Sequence, residues 1–376
     1  MPLTISKTRK KNYYIFHLNG KIDTQACFKL KEALFDTLNS KEFKICLELT
    51  EVSAIEASGI RFIENIQKIL IKSDRQLETF GAQENIRQIL DTLQLTSPIK
   101  SYSDHYEFEA TFNLDMIETR KKYFKLGTGS GPIRHLSLVC PLCDMEGIIG
   151  YLCDEEQHEL HWEETEITPQ WHLTQNQENE IDFELYEVAV CHKCYFASNR
   201  LDNFLVSLPE GTIPSILDKE QKDRLVKKSS LRTNLIAEHQ KPNISSFLSM
   251  PRESSAGYLA WQLYDRTIRD LSKDKAGTNT LEVARANILS AKFSENETDR
   301  TKSLTTAHVW LADIVNNPST HTTQDLIFGT VYLISVSLAL NKIKEAKKTF
   351  ELFMEQYEND SHFPLWIERA KFLIKD

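Results

Sequence analysis

The first hundred residues alternate between short apolar runs and segments whose apolar residues recur at helical spacing. The runs YYIFHLNG, FKICLELTEV and QLETF are rich in aromatic or β-branched residues and end in turn residues, so they predict three strands. A helical periodicity follows each run, as at Ile63, Ile66 and Leu70 after the second. The order strand, helix, strand, helix, strand, helix predicts a sheet covered by helices.

The last third of the chain has almost no strand signal and carries a succession of amphipathic helical segments. Helix-on-helix packing is therefore expected there. Segments 326–340 and 343–358 are joined by so few residues that they predict an antiparallel hairpin. The apolar run from Leu326 to Asn341 is shorter than the roughly 20 residues that span a bilayer, so we expect a buried core helix and no membrane contact.

Composition shifts divide the chain into three folded blocks and two connections. We predict an α/β domain at 1–112, a linker at 113–133, a small β-rich module at 134–207, a second linker at 208–250, and an all-α domain at 251–376. The fold class expected for the whole chain is multidomain, α/β plus α. The Gly-rich and polar character of the two connections indicates where the blocks are joined.

Charge is distributed unevenly over the 376 residues. The net charge is −9, and residues 154–187 hold twelve Asp or Glu and no Lys or Arg. This acidic balance argues against a nucleic-acid surface, whose affinity comes mainly from Lys and Arg at phosphates. The N-terminus has basic residues but no apolar stretch of the length that a secretory signal needs, so we expect a cytoplasmic protein.

Four of the seven cysteines lie in two Cys-x-x-Cys pairs, Cys140 with Cys143 and Cys191 with Cys194. Two such pairs supply four thiolates to one tetrahedral zinc ion, each pair holding the metal from a tight turn. The spacing therefore predicts a structural zinc site, with iron as the main alternative metal. Asp144 and Tyr195 follow the two turns, at positions where glycine is common.

Two other uses of the cysteine region remain open. A metal-dependent enzyme would recruit side chains from the acidic segment, and the candidates are Cys153, Glu155, Glu156, His158 and His161. The stretch HELH lacks the His-Glu-x-x-His spacing that places two histidines on one helical face, so we favour a solvated polar loop. A zinc ribbon that binds nucleic acid would need a basic face near the turns, which the acidic segment disfavours.

The stretch VSAIEASGIRF places an acid, two small residues and a glycine between a strand and an amphipathic helix. Together with LNGKID, ICLELTEV and QLETFGAQENIRQIL, it resembles the STAS domain of anti-sigma-factor antagonists over residues 10–110. The resemblance implies a partner-binding and regulatory region at five positions: Asp23, Glu56, Ala57, Ser58 and Gly59. It also implies a protein partner, either an anti-sigma factor or a related regulatory kinase.

In that family the serine directly after the acid of this turn accepts phosphate from a partner kinase. The matching position here is Ala57, which has no hydroxyl. Ser58 lies one position later, and a serine just ahead of an amphipathic helix is most often an N-cap. We therefore expect Ser58 to cap the helix, with phosphorylation of Ser58 as the alternative.

The cysteine block and the helices after it, residues 135–376, resemble an uncharacterised bacterial family with tetratricopeptide-like helices. That resemblance brings no known activity. Within the helices, Leu333, Ala346 and Phe350 fit part of a tetratricopeptide pattern, which typically presents a groove to a peptide or protein partner. The residues that match the family are Cys140, Pro141, Cys143, Tyr186, Cys191, Cys194, Tyr195 and Ala197.

No serine or cysteine nucleophile has a recognisable base partner in the sequence. With three adjacent modules suited to binding, we expect a cytoplasmic bacterial signalling or scaffold protein and not an enzyme. The STAS-like domain would bind a regulatory partner, zinc would stabilise the middle module, and the helices would recruit a further protein.

Overall fold

The computed structural model places the chain in two compact units. The first comprises residues 1–115 and 317–324, and the second comprises residues 116–316 and 325–376. The structure describes residues 2–10, 13–39, 44–72, 75–92, 99–105, 107–109, 122–129, 133–153, 158–161, 167–168, 170–173, 182–209, 211–239, 247–248, 251–272, 279–360 and 362–375.

The first unit contains a five-stranded sheet in the order β1-β2-β3-β4-β5. β1 pairs antiparallel with β2, whereas β2, β3, β4 and β5 run parallel to their neighbours. Helices α1, α2 and α3 follow β2, β3 and β4, so the predicted alternation of strands and helices is confirmed. The bounds are β1 (Thr4–Lys10), β2 (Tyr13–Ile22), α1 (Thr24–Asn39), β3 (Lys44–Ile55), α2 (Ala57–Ile71), β4 (Leu77–Phe80), α3 (Glu84–Thr92) and β5 (Lys100–Tyr102).

The sequence does not predict strand β1. Its residues TISKTRK are mostly polar and none of the described ones is buried, because β1 lies at the edge of the sheet and pairs on one side only. An edge strand needs few apolar side chains to keep its ladder, so composition carries little signal for it. Leu3, just before the strand, is buried in the core.

Alternate side chains of the sheet bury two different cores. One face packs against the helices, and the core between them contains Leu47 of the sheet together with Leu30 and Ile63 of the helices. The other face carries an aromatic cluster in which Phe108 stacks on Phe80, with the ring centroids 5.0 Å apart. Because successive residues of a strand point to opposite faces, this division follows directly from the period of two in the sequence.

The second unit contains a four-stranded antiparallel sheet in the order β13-β12-β6-β7 and two separate strand pairs, β8 with β9 and β10 with β11. These short strands form the β-rich part of the chain around the cysteines. The bounds are β6 (Ile133–Val139), β7 (Ile148–Cys153), β8 (His158–His161), β9 (Gln170–Leu173), β10 (Ala189–Val190), β11 (Ala197–Ser198), β12 (Leu205–Leu208) and β13 (Gly211–Ile213).

Eight helices of the second unit follow these strands within the described residues. Thr323–Ala339 and Ile343–Tyr357 are joined by three residues and pack on each other through Ile327, Ala346 and Phe353, so the predicted hairpin is present. The bounds are α4 (Lys219–Lys227), α5 (Ser229–His239), α6 (Ser254–Leu271), α7 (Thr280–Phe293), α8 (Glu297–Asn316), α9 (Thr323–Ala339), α10 (Ile343–Tyr357) and α11 (Pro364–Ile374).

Residues 208–250, which the sequence predicts to be a linker, contain regular structure that packs into the second unit. Helix α4 begins with a capping box formed by Asp218 and Gln221. Leu225 is fully buried, and so is Arg232, which donates to Asp270 Oδ2 of α6 at 3.0 Å. These contacts attach α4 and α5 to the helices that follow.

No helix among the described residues is both long enough and apolar enough to cross a membrane. Helix α9, the most apolar of them, instead contributes to two buried clusters. Leu333 belongs to the cluster shared with α7 and α8, whereas Val331 faces α10. The three residues of the tetratricopeptide pattern are therefore divided between two clusters, because Ala346 and Phe350 pack with Val331.

Candidate functional site

The four paired cysteines come together at one point of the second unit. Cys140 follows β6 directly, and Cys191 follows β10 directly. All four sulfur atoms lie within 4.8 Å of one another. The Sγ atoms of Cys140 and Cys194 are 3.4 Å apart, and those of Cys143 and Cys191 are 3.6 Å apart. Residues separated by about fifty positions thus form a single cluster.

The two turns have the same backbone geometry. The N–H of Asp144 donates to Cys140 O at 3.1 Å, and the N–H of Tyr195 donates to Cys191 O at 2.9 Å. Asp144 and Tyr195 both adopt positive φ, 53° and 59°. A non-glycine residue pays roughly 1–2 kcal/mol in this left-handed region, so the surrounding structure must hold the turn in place.

Each turn is closed by a second backbone hydrogen bond. The N–H of Cys140 donates to Met145 O at 2.9 Å, and the N–H of Cys191 donates to Phe196 O at 2.8 Å. The two Cys-x-x-Cys segments are therefore related by the same pattern of hydrogen bonds, and each presents its sulfur atoms to the other. Aspartate and tyrosine replace the usual glycine without changing this geometry.

The sulfur positions fit a tetrahedral metal. Zn–S bonds of about 2.3 Å require sulfur atoms about 3.8 Å apart, close to the observed spacings. A disulfide would bring two sulfur atoms to about 2.05 Å, and these thiols are free. The cluster could hold a metal ion, and its four sulfur donors would fill all four positions of a tetrahedral ion.

The thiols of the cluster shift one another's pKa values in both directions. Hydrogen bonds with Cys191 and Cys194 and burial raise the pKa of Cys140, and the pKa of Cys194 is raised by Cys191 and burial against a lowering hydrogen bond with Cys140. Hydrogen bonds from Cys140 and Cys194 lower the pKa of the Cys191 thiol, and backbone N–H groups of Cys194 and Lys193 act in the same direction. Thiolate is the form that binds metal. Cys140 and Cys191 are fully buried, whereas Cys143 and Cys194 are half-buried, so one side of the cluster faces the core and the other approaches the surface.

The other side chains proposed for the cysteine region are placed differently. His158 and His161 lie in strand β8, where they pair with Leu173 and Gln170. Cys153 ends strand β7, opposite Ile133. Glu155 and Glu156 lie outside the described residues. Among the described residues, the four cysteines are the group of His, Cys, Asp or Glu whose ligand atoms lie close enough for a metal.

A second candidate region lies at the carboxyl ends of β2 and β3, which are neighbours in the sheet. Asp23 Oδ1 accepts the N–H of Ala26 at 2.9 Å and so caps α1. Glu56 N–H donates to Ile22 O at 3.0 Å, which joins the start of α2 to the end of β2. The two helix starts that the sequence singles out therefore lie side by side.

Gly59 allows α2 to approach β2 closely. A Cβ atom at Gly59 would lie 2.7 Å from Ile22 O and 2.9 Å from Ile55 Cγ2. Real Cβ atoms essentially never lie this close to non-bonded heavy atoms, so a larger residue would push the helix away from the strand. The glycine of the turn thus has a packing function that is independent of any phosphate.

The predicted cap at Ser58 is wrong. Helix α2 begins at Ala57, and its N-cap is Glu56, whose side chain makes no capping hydrogen bond. Ser58 is the second helical residue, and its buried Oγ has no hydrogen-bond partner within the part of the chain that the structure describes. The sequence places the cap two residues too late because Ser is a better cap than Glu, and the close approach at Gly59 overrides that preference.

Ala57, at the position that matches the phosphate acceptor, is exposed. The nearest hydroxyl, on Ser58, is turned into the protein. Beside them Lys21 Nζ lies 2.5 Å from Glu56 Oε1, and the two side chains are about half exposed. The surface at the start of α2 is therefore an alanine bordered by an ion pair, and neither Ala57 nor Ser58 offers an accessible hydroxyl there.

Sequence reasoning missed a buried group of charges between the cysteine module and α7. Glu184 is 4% exposed and its carboxylate accepts from Lys292 Nζ at 2.7 Å. Burial raises the pKa of Glu184 to about 7, while Lys292 and Arg285 act in the opposite direction. Arg285 binds both oxygens of Glu187. The spacing of Arg285 and Lys292, seven residues apart on one helix, is the signal that could have indicated a shared face.

Comparison with known proteins gives matches to the N-terminal part of the chain. The family model of the STAS domain matches residues 4–108. Among solved structures, the anti-sigma factor antagonist SpoIIAA in its unphosphorylated form is 11% identical, with a TM-score of 0.25, and the match covers 30% of this chain and 97% of that chain. A putative anti-sigma factor antagonist from Thermotoga maritima is 22% identical, with a TM-score of 0.27 and coverages of 30% and 94%. No curated protein matches this chain.

The STAS domain predicted from the sequence is therefore confirmed over residues 4–108. It lies within the first unit, and the candidate edge formed by Asp23 and Glu56 belongs to it. The cysteine cluster and the helices lie outside the matched residues.

Proposed function

We propose that this chain is a cytosolic signalling or scaffold protein that binds a regulatory protein through its STAS domain. The observation that carries this proposal is the family match over residues 4–108 together with the exposed edge at Glu56 and Ala57. Anti-sigma-factor antagonism is the activity named for its structural relatives, and the proposed partner is an anti-sigma factor or a related kinase. The proposal assigns no catalytic step to the protein.

The partner docks without a phosphorylation switch at the usual position. Phosphorylation works by adding negative charge at a helix N-terminus, which changes what can bind there. Ala57 has no hydroxyl, and the Ser58 hydroxyl is buried. The regulatory region Asp23, Glu56, Ala57, Ser58 and Gly59 is then a permanent docking edge, in which Asp23 and Gly59 position the two helices.

Cys140, Cys143, Cys191 and Cys194 hold a structural metal ion in this proposal, and zinc is favoured over iron. The ion would cross-link the two turns. It would take no part in catalysis, because four sulfur ligands leave no open coordination position. The support is the spacing of the sulfur atoms and the matched backbone of the two turns. Cysteines in this arrangement suit a reducing compartment, which supports a cytosolic location.

The helical part serves as a second protein-binding element of tetratricopeptide-like character. Its support is the hairpin of α9 and α10, in which the small residue Ala346 is fully buried and allows close packing of the two helices. Helical hairpins of this kind stack into arrays with an extended binding surface. The chain would thus bring a regulator on the STAS domain into proximity with a peptide or protein on the helices.

A pull-down from native cytosol with full-length, metal-loaded protein tests the docking edge. Ala57→Arg places a long cation on the exposed edge, whereas Asn65→Arg makes a similar change at an exposed position two turns further along α2. We expect the wild type and Asn65→Arg to retain the same regulatory protein and Ala57→Arg to lose it. Equal recovery by all three proteins, or no recovery by the wild type, would contradict the proposed edge.

A further inference from the structure

Arg252 is a buried cation whose side chain donates to backbone carbonyls, and no carboxylate among the described residues pairs with it. Its side chain lies in the second unit, just ahead of helix α6, and the residue is 6% exposed. Burial lowers its pKa to about 10, so the guanidinium stays charged near neutral pH, and the other groups that act on it are the phenols of Tyr151 and Tyr186. Nearly all buried charges in proteins are paired, so this arrangement requires an explanation.

Part of the explanation is structural. Arg252 Nε donates to Leu248 O at 2.8 Å, and Nη1 donates to Leu185 O and Val188 O, both at 2.9 Å. These bonds hold the guanidinium rigidly and connect Leu185 and Val188 to the part of the chain just ahead of α6. They satisfy the donors of two nitrogen atoms, but carbonyl oxygens carry no net charge and leave the positive charge without a counter-ion.

The third nitrogen, Nη2, is available to a ligand. Within the described part of the chain, Nη2 donates to no protein atom, and it is not among the fully enclosed polar atoms that lack a partner. Arg252 lines a cavity of about 30 Å³ together with His192 of the second cysteine turn and Tyr151. The remaining lining residues are Gly147, Ile148, Ile149, Val190 and Leu248.

We propose that this cavity is a carboxylate-binding site in which Arg252 supplies the charge and the donors. The volume admits about one water-sized group, which is the size of one oxygen of a carboxylate. Guanidinium and carboxylate form strong, charge-assisted hydrogen bonds. His192 offers a second polar group at the same cavity, and the apolar wall at Ile148 and Val190 strengthens the interaction by limiting water.

The carboxylate could be free in solution or belong to a peptide, and the chemistry at Arg252 is the same. The test uses full-length, metal-loaded protein with 15N-labelled arginine and follows the Nε–H signal of Arg252, assigned by its loss in Arg252→Lys. Sodium acetate, acetamide and sodium chloride are added in parallel. We expect a saturable shift with acetate, and none with acetamide or chloride at equal concentration.

A pair of variants tests the location without disturbing the Arg252 clamp. Ile149 lines the cavity and is 40% exposed, so substitution there is tolerated more readily than in the core. Ile149→Glu provides an internal carboxylate beside Arg252 and should abolish the acetate response. Ile149→Gln matches its size without the charge and should keep the response.

Two peptides distinguish the source of the ligand. Acetyl-Gly-Glu-Gly-amide presents a peptide carboxylate, and acetyl-Gly-Gln-Gly-amide is its neutral control. Saturation at a lower concentration with the acidic peptide than with acetate assigns the site to a protein partner, and the reverse order assigns it to a free carboxylate. No response to acetate or to the acidic peptide, an equal response to chloride, or an unchanged response in Ile149→Glu would overturn the proposal.

Discussion

Arg285 of helix α7 and Glu187 of the cysteine module lie 98 positions apart in sequence and form a two-pronged ion pair. Nη1 and Nη2 of the arginine donate to the two carboxylate oxygens at 2.9 and 2.8 Å. Glu187 is 9% exposed, so the pair is largely removed from water. This bond and the neighbouring one between Lys292 and Glu184 attach the module to the helices within the second unit.

Removing one partner of this pair should destabilise the second unit. Arg285→Met removes the guanidinium that binds both oxygens of the buried Glu187 carboxylate, and we expect a loss of about 3 kcal/mol in the free energy of unfolding. Removing both partners, in Arg285→Met with Glu187→Met, should cost less than the single change. Denaturant unfolding of the wild type, Arg285→Met, Glu187→Met and the double variant measures this coupling, and strictly additive losses would contradict the pairing.

The metal site should be needed for the stability of the second unit. Cys143→Ser removes one of the four sulfur ligands, and we expect the bound metal to fall from one ion per chain toward none and the melting temperature to drop. Cys27→Ser is the matched control, because Cys27 lies in the first unit and outside the cluster. Metal analysis and thermal unfolding provide the readout, and retention of one ion by Cys143→Ser would contradict the four-cysteine site.

The coordination of the metal separates the structural role from catalysis. X-ray absorption of the loaded protein should show four sulfur neighbours at about 2.3 Å for zinc. A mixture of sulfur with nitrogen or oxygen and a bound water would revive an enzymatic role for the cysteine region.

Ser58→Ala should leave the stability of the first unit unchanged or raise it by about 1 kcal/mol. The change removes a buried hydroxyl that has no hydrogen-bond partner, and an unsatisfied buried polar group is costly. A capping serine would behave in the opposite way and lose about 1 kcal/mol on this substitution. Thermal or denaturant unfolding decides between the two outcomes.

The buried carboxyl of Glu184 should give the second unit a characteristic pH dependence. Its pKa rises from about 4.3 in the unfolded chain to about 7 in the folded protein, so the folded state holds one more proton between these values. The contribution of Glu184 to stability is therefore greatest below about pH 4.3 and is lost as the pH rises to about 7. Over this range the free energy of unfolding should fall by about 3 kcal/mol.

Comparison of variants isolates this effect from the other carboxyl groups. Glu184→Gln should flatten the decline in unfolding free energy between pH 5 and pH 7. Glu253→Gln changes an exposed carboxyl of the same unit and should leave the profile as in the wild type. Identical profiles for Glu184→Gln and the wild type would show that this group does not titrate in the range.

Local sequence patterns were sufficient for much of this structure. The alternation of apolar runs and helical segments predicted the sheet of the first unit with its helices, and the repeated Cys-x-x-Cys spacing predicted that Cys140 and Cys191 meet. In both cases the sequence pattern lies within a few residues of the strand or the cysteine turn that it predicts. The left-handed turn at Tyr195 shows that a spacing of ligands can be preserved where the usual glycine is not.

The features that sequence did not reveal depend on contacts between distant segments. The pair of Arg285 and Glu187 joins residues about a hundred positions apart, and nothing local to either indicates the other. The start of α2 is decided by the close approach of Gly59 to Ile22, so the serine that looks like a cap lies inside the helix. Arg252 likewise resembles an ordinary surface arginine until its three backbone acceptors are known.

The central claim is that the STAS domain binds its partner without a phosphorylation switch. The most direct test measures the affinity of the purified full-length protein for the partner recovered in the pull-down, before and after incubation of the two with ATP and magnesium, with phosphosite mapping of the same samples. We predict unchanged affinity and no phosphate on Ser58. Loss of binding after ATP treatment, together with phosphate on Ser58, would contradict the account.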